Sequence, residues 1–168
     1  MNDHQRLASF IQNIKFTMMT TSGKDGKLFS RPMATLKIDE KNFDGTLYFF
    51  SKLHSPKSSE IEQDQHMNLA YANTRNQQYA SVCGRASISQ DKNLMKKLWN
   101  PIFKAWFPEG LEDPEIALIA VRIESAEIWD SPPSKVVQLV GFVKAQVTGK
   151  PYNDKSHTEF LNINQSHH

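Results

Sequence analysis

Short apolar runs separated by glycine-bearing turns constrain this chain more than any other feature. "FTMMTT", "SGKDGK" and "LFSRPMATLKID" follow one another through residues 16–39, two strand-like stretches joined by a turn, which is the pattern of a hairpin. "NFDG" then turns the chain into "TLYFFS", so three antiparallel strands come in sequence. "MNLAYAN" and "YASVCGRASIS" flank the polar "TRNQQ" as a second hairpin, and "IALIAVRIESAEIW" supplies a long sixth strand. Six mostly antiparallel strands with short helices between the hairpins predict a mainly β fold: a six-stranded antiparallel split β-barrel of Greek-key type, whose closure removes exposed edges. A doubly wound sheet does not fit this order of elements.

The helices are fewer. Leu7, Phe10, Ile11 and Ile14 fall at helical spacing and predict a short amphipathic helix over residues 4–14. A second helix is expected from Pro56 to Asp64. Asp91 can cap a third carrying Leu94, Met95, Leu98, Trp99, Ile102, Phe103, Trp106 and Phe107, with a kink at Pro101. "SKVVQLVGFVKAQV" is apolar enough for a final helix or strand and is read as a helix. A chain of 168 residues, 39% of them apolar, suits one well-buried domain, placed at residues 1–150, followed by a polar, flexible tail over 151–168. The closing Ser-His-His reads equally as native sequence or as a tag remnant and carries no functional weight.

Charge narrows the partners. Twenty basic residues against eighteen acidic give a net charge of +2, so no general electrostatic footprint for nucleic acid or a membrane surface is present and any bound anion is small and local. Cys83 is the sole cysteine, which excludes an internal disulfide, argues against a thiolate zinc site and suggests a reducing compartment. The opening "MNDHQRLASFIQNIK" has no continuous apolar core of a secretory signal, and no stretch approaches the roughly 20 apolar residues of a membrane span. The expectation is a cytoplasmic protein.

Several chemistries lose their usual support. The sequence has no "GxxxxGK[ST]", no strand-linked "GxGxxG" and no "GxSxG", and His4, His54, His66 and His157 lack a metal-ligand spacing. No metal is expected. Anion and ring binders at strand ends remain. In Ser55-Pro56-Lys57 the serine suits an N-cap and the proline the first helical position, which places a lysine in the first turn. The helix dipole disfavours a cation there by about 0.3–1 kcal/mol unless an anion offsets it. Ser51, Ser55 and Lys57 together suit a phosphate monoester, although an ordinary capped surface helix fits the same residues. Arg31 in "SRPM" stands beside Pro32, which cannot donate to a ladder, so this point is an edge, a bulge or a strand end. Its planar fork suits phosphate or the carbonyl oxygens of a heterocycle, and an edge arginine in solvent is the competing reading. Trp99, Trp106 and Phe107 form a wide aromatic stripe, suited to a core or to contact with a second subunit, and Gln77 and Gln78 near a hairpin tip can hydrogen-bond a polar ring edge.

Taken in order, "MMTT", "DGKLFSRPMATL", "FDGTLYFFS", "HSPKSSEI", "NLAYAN", "YASVCGRASI", "LWNPIFKAWFPEGLEDP" and "AEIWDSP" resemble the general stress protein 26-like branch of the pyridoxamine 5'-phosphate oxidase-like, FMN-binding split-barrel superfamily, over about residues 5–149. The resemblance implies a homodimer with two FMN molecules at the subunit interface. On matching positions it implies that Arg31, Pro32 and Met33 run alongside the ring and ribityl chain, and that Phe50 and Ser51 line the adjoining strand end. Ser55 and Lys57 would hold the phosphate, with Trp106, Trp99 and Gln78 approaching from the partner subunit. The chain departs from true pyridoxamine phosphate oxidases in lacking their longer C-terminal extension and arginine-histidine substrate site, so vitamin B6 oxidation is not implied. The implied function is a flavin-dependent oxidoreductase acting on an unidentified small substrate, with no side chain standing out as a catalytic acid or base. The alternatives are a non-catalytic flavin carrier, sensor or buffer, and a barrel that binds another ligand such as a deazaflavin or haem.

Overall fold

The computed structural model describes residues 1–130 and 157–163. Its first helix, α1 (Asp3–Ile11), begins at a capping box: the Asn2 side chain accepts from the Gln5 amide at 2.9 Å, and Gln5 answers by accepting from the Asn2 amide at 3.2 Å. Leu7, Ala8 and Ile11 then face inward. The strands are β1 (Phe16–Ser22), β2 (Leu28–Ala34), β3 (Thr46–Lys52), β4 (His66–Asn73), β5 (Gln78–Ser89), β6 (Ile116–Asp130) and β7 (His157–Asn162), with α2 (Pro56–Gln63) after β3 and α3 (Lys92–Leu98) after β5. All strand pairings are antiparallel, in the order β2-β1-β4-β5-β6-β3. Long β6 serves two partners on one side: residues 116–122 pair with β3 and residues 125–130 with β7. Just past β2, the Leu36 amide donates to the Tyr48 carbonyl at 3.0 Å, which draws the free edge of β2 toward β3 and makes the sheet a split barrel.

Alternation along the strands fills the interior. Thr17, Met19 and Thr21 of β1 point in while Phe16 and Met18 point out, and Leu69, Tyr71, Val82, Ile119, Val121 and Ile123 complete the inner face. Burying each large aliphatic side chain is worth about 1.5–3 kcal/mol. Ile61 of α2 and Leu7 and Ile11 of α1 close the barrel ends. A smaller cluster of Leu36, Phe50, Met95, Phe107, Ile116 and Leu118 lies under α3 and the segment after it. Where β5 bulges at Cys83 and Gly84, a Cβ on Gly84 would come within 2.4 Å of the Arg122 carbonyl oxygen, so the close approach of β5 and β6 needs glycine there.

Three expectations are corrected. β3 does not continue the first hairpin: it pairs antiparallel with β6, at the other end of the strand order from β2. The aromatic segment is not one kinked helix: α3 ends at Leu98, Trp99 and Asn100 are extended, and a 3-10 turn runs over Pro101–Ala105. The residue before a proline avoids the helical region, and the Asn100 side chain caps the new turn by accepting from the Ile102 amide at 3.0 Å. The tail expected to be flexible instead supplies the seventh strand, β7, with Leu161 1% exposed beneath it. The helix expected over 134–147 lies outside the described residues.

Candidate functional site

The C-terminal end of β3 sets the site. "FFSK" breaks strict alternation, burying Phe49, Phe50 and Ser51 in a row before Lys52 emerges. The turn into α2 is then held from several sides. The Leu53 amide donates to the Glu115 carbonyl at 2.7 Å, and His54 Nδ1 lies 2.8 Å from Glu115 Oε2. Ser55 caps α2 by accepting from the Ser58 amide at 3.4 Å, and the buried Ser58 hydroxyl donates to the Lys52 carbonyl at 2.9 Å. This clamp fixes Lys57 in the first helical turn.

Lys57 projects into a cleft of about 500 Å³, lined also by Ser51 and Lys52 and by an apolar wall of Phe16, Pro32, Met33, Ala34, Phe50, Phe103, Trp106 and Phe107. Phe50 anchors that wall, meeting Phe103 edge to face at 5.2 Å and Trp99 at 5.4 Å between ring centroids. Phe103 in turn tilts against Trp106 at 6.5 Å. The half-buried ammonium of Lys57 is pushed below the ordinary lysine range, first by burial and then by repulsion from Arg31, with Glu60 working the other way. A cation in that position gains from an anionic partner. The cleft therefore combines apolar, aromatic walls that suit a planar ring with a positive end that suits an anionic group.

Six of the ten residues singled out from sequence meet here: Pro32, Met33, Phe50, Ser51, Lys57 and Trp106. Trp106, expected to arrive from a partner subunit, reaches the cleft of its own chain. Arg31 turns away from the cleft lining, bonding Glu60 at 2.7 Å and Thr21 at 2.6 Å. The Ser55 hydroxyl is taken up with Ser58, 2.9 Å from its Oγ. Gln78 sits at the start of β5 and donates to Asp130 at 3.1 Å. Trp99 supports Phe50 from behind and lines a separate surface recess with Lys37, Lys41 and Lys97. Phe16, Ala34, Lys52, Phe103 and Phe107 were not singled out as cleft residues. The outward position of Phe16 at the head of an alternating strand, and the i, i+4 pair Phe103 and Phe107, were the signals available.

Among the described residues, no cluster of three or more His, Cys, Asp or Glu side chains is placed to hold a metal ion, and no helix is long and apolar enough to cross a membrane. The family described as "Pyridoxamine 5'-phosphate oxidase like" matches residues 2–153. Protein bli-3 of Neurospora crassa is 35% identical over 154 residues, covering 86% of this chain and 73% of that protein. The crystal structure of general stress protein 26 from Bacillus anthracis superposes with a TM-score of 0.65 at 26% identity, over 76% of this chain and 94% of the other. That of a general stress FMN/FAD binding protein from Xanthomonas citri shares the fold with a TM-score of 0.67 at 23% identity, over 78% and 90% of the two chains.

Proposed function

The chain belongs to the pyridoxamine 5'-phosphate oxidase like family, and on that premise we propose that it binds FMN in the cleft between β2, β3, the start of α2 and the aromatic segment after α3. The single observation that carries this reading is the cleft's polarity: Lys57 at one end, and Pro32, Met33, Phe50 and Trp106 along the walls. The FMN/FAD-binding name of the Xanthomonas citri relative supports it. Lys57 and Ser51 would hold the phosphate, with the apolar walls around the ring system. Bound FMN would supply one- or two-electron transfer, and the protein's residues would bind, orient and shield it from water.

The pH dependence of binding tests the phosphate contact. An anion favours the charged form of Lys57, so affinity is full below the lysine's lowered pKa and falls as pH rises through it. FMN titrations are therefore expected to be level near neutrality and to weaken on the alkaline side, sooner than an exposed lysine would dictate. Riboflavin, which shares the ring and lacks the phosphate, controls for ionisation of the ring. Parallel curves for the two ligands would remove Lys57 from the phosphate.

We further propose a homodimer. Met18 stands beside Pro32 on one neighbouring strand and Ala70 on the other, and Ala72 stands beside Tyr79, which leads on to Trp129. Phe16, Met18 and Tyr79 are 48%, 43% and 40% exposed on this outer face. It is an apolar sheet surface suited to a second copy. Phe16 and Pro32 also border the cleft, so a partner on this face would flank the flavin. Sedimentation equilibrium at micromolar protein is expected to return twice the 19.2 kDa chain mass; a monomer would contradict the dimer.

As to activity, we propose a flavin-dependent oxidoreductase acting on a small molecule. Among the described residues the titratable side chains of the cleft lining are Lys52 and Lys57, neither a carboxylate nor a histidine, and a second reading is a flavin carrier or sensor without turnover. Reduced nicotinamide with an electron acceptor distinguishes them. Multiple turnovers that vanish on removal of the flavin support the enzyme; a single bleaching of the flavin supports the carrier.

A further inference from the structure

Glu60 lies three residues beyond Lys57 on α2, so the two side chains are neighbours on the helix surface. Its Oε2 accepts from Arg31 Nη2 at 2.7 Å and also from the Thr21 hydroxyl. Arg31 Nη1 donates to Thr21 Oγ1 at 2.6 Å and to the Met19 carbonyl at 3.4 Å. The three side chains close a ring of hydrogen bonds that joins α2 to β1 and β2. Thr21 is 1% exposed, and the Arg31 and Glu60 side chains are 22% and 15% exposed, so solvent screens this pair weakly.

The Arg31 guanidinium on β2 repels the charge of Lys57, Lys52 at the end of β3 lines the same cleft, and the Glu60 carboxylate favours that charge. Two cations facing one another in a partly desolvated place destabilise each other. Of the two, the lysine is the one that can shed its proton, because the guanidinium stays charged.

We infer that Glu60 is a positioning residue of the cleft: its grip on Arg31 and Thr21 fixes α2, which carries Lys57 in its first turn, against the barrel, and its carboxylate sets a negative charge one turn along the helix from that lysine. The part of this inference that concerns phosphate rests on the FMN reading above. Arg31 thereby acts on the ligand through Glu60 and Lys57 and not by touching the ring.

Glu60→Gln tests this, because the amide keeps an acceptor oxygen for Arg31 and Thr21 while removing the charge. The first readout needs no ligand. Reductive methylation with 13C-formaldehyde makes each lysine visible by NMR, and Lys57 is assigned by its loss in Lys57→Arg. Its titration is expected to move to lower pH in Glu60→Gln. The second readout compares FMN and riboflavin affinity from neutral to alkaline pH. Glu60→Gln is expected to lose FMN several-fold at a pH where the wild type still binds, and to bind riboflavin as the wild type does. An unchanged Lys57 titration would overturn the inference whatever ligand binds. A shifted titration in a protein that does not prefer FMN to riboflavin would support the coupling of Glu60 to Lys57 and refute the phosphate reading.

Discussion

Replacing Lys57 with alanine is expected to weaken FMN binding by about 2 kcal/mol, roughly 30-fold, and to leave riboflavin within about twofold. The lysine is placed at a helix start, where its charge is unfavourable by itself, and burial depresses its ammonium further. Both effects mean that the folded protein holds a cation at some cost until an anion arrives. A charge-assisted contact to phosphate offsets that cost; removing the lysine removes the contact and the penalty together, which is why the protein's own stability should change little. Fluorescence titration of flavin-stripped Lys57→Ala with each ligand gives the ratio. An equal loss for FMN and riboflavin would place Lys57 elsewhere along the ligand.

The largest loss of stability is expected from Phe50→Ala. Phe50 is 7% exposed and meets three aromatic rings at once, Trp99, Phe103 and Phe107, at 5.4, 5.2 and 6.3 Å. Truncating such a ring costs about 3–5 kcal/mol, a large share of the roughly 5–15 kcal/mol that holds a domain of this size together. The segment over Pro101–Ala105, a 3-10 turn, would lose the surface it packs on, and the aromatic wall of the cleft would go with it. Urea denaturation measures the first effect. Phe50→Leu separates the second, since it keeps most of the volume while removing the edge-to-face contacts, worth about 0.5–1.5 kcal/mol for each aromatic pair. Phe50→Leu should weaken FMN and riboflavin alike, in contrast to Lys57→Ala. Unchanged affinity for both would detach the aromatic wall from the flavin.

Much of this architecture was legible because it is local. The β1–β2 hairpin announces itself by its glycine-bearing turn, where Gly26 takes the positive φ the turn requires. The start of α2 is written in Ser55-Pro56-Lys57, and that stretch also located the positive end of the cleft. What escaped depends on partners distant in sequence. β7 is a short, mixed stretch whose strand character comes from pairing with β6, and only Leu161 and the neighbouring Ile163 reveal an inward side. Arg31 carries the geometry of an anion ligand, but its partner Glu60 lies 29 residues away on another element, so the pairing that turns it from the cleft has no local signature. The aromatic stripe at helical spacing left open a core or a contact with a second subunit. The break before Pro101 sets Trp99 behind Phe50 and Trp106 at the cleft of the same chain, a placement that follows from the proline and not from the spacing.

On the reading proposed above, the cleft would hold FMN by its phosphate as well as by its ring. Equilibrium titration of flavin-stripped wild-type protein with FMN and with riboflavin, at neutral pH and followed by absorbance and flavin fluorescence, tests it most directly. Saturable binding of both is expected, with a clear preference for FMN. No FMN binding at tens of micromolar, which corresponds to less than about 7 kcal/mol of affinity, would contradict it and leave the split barrel with a different ligand.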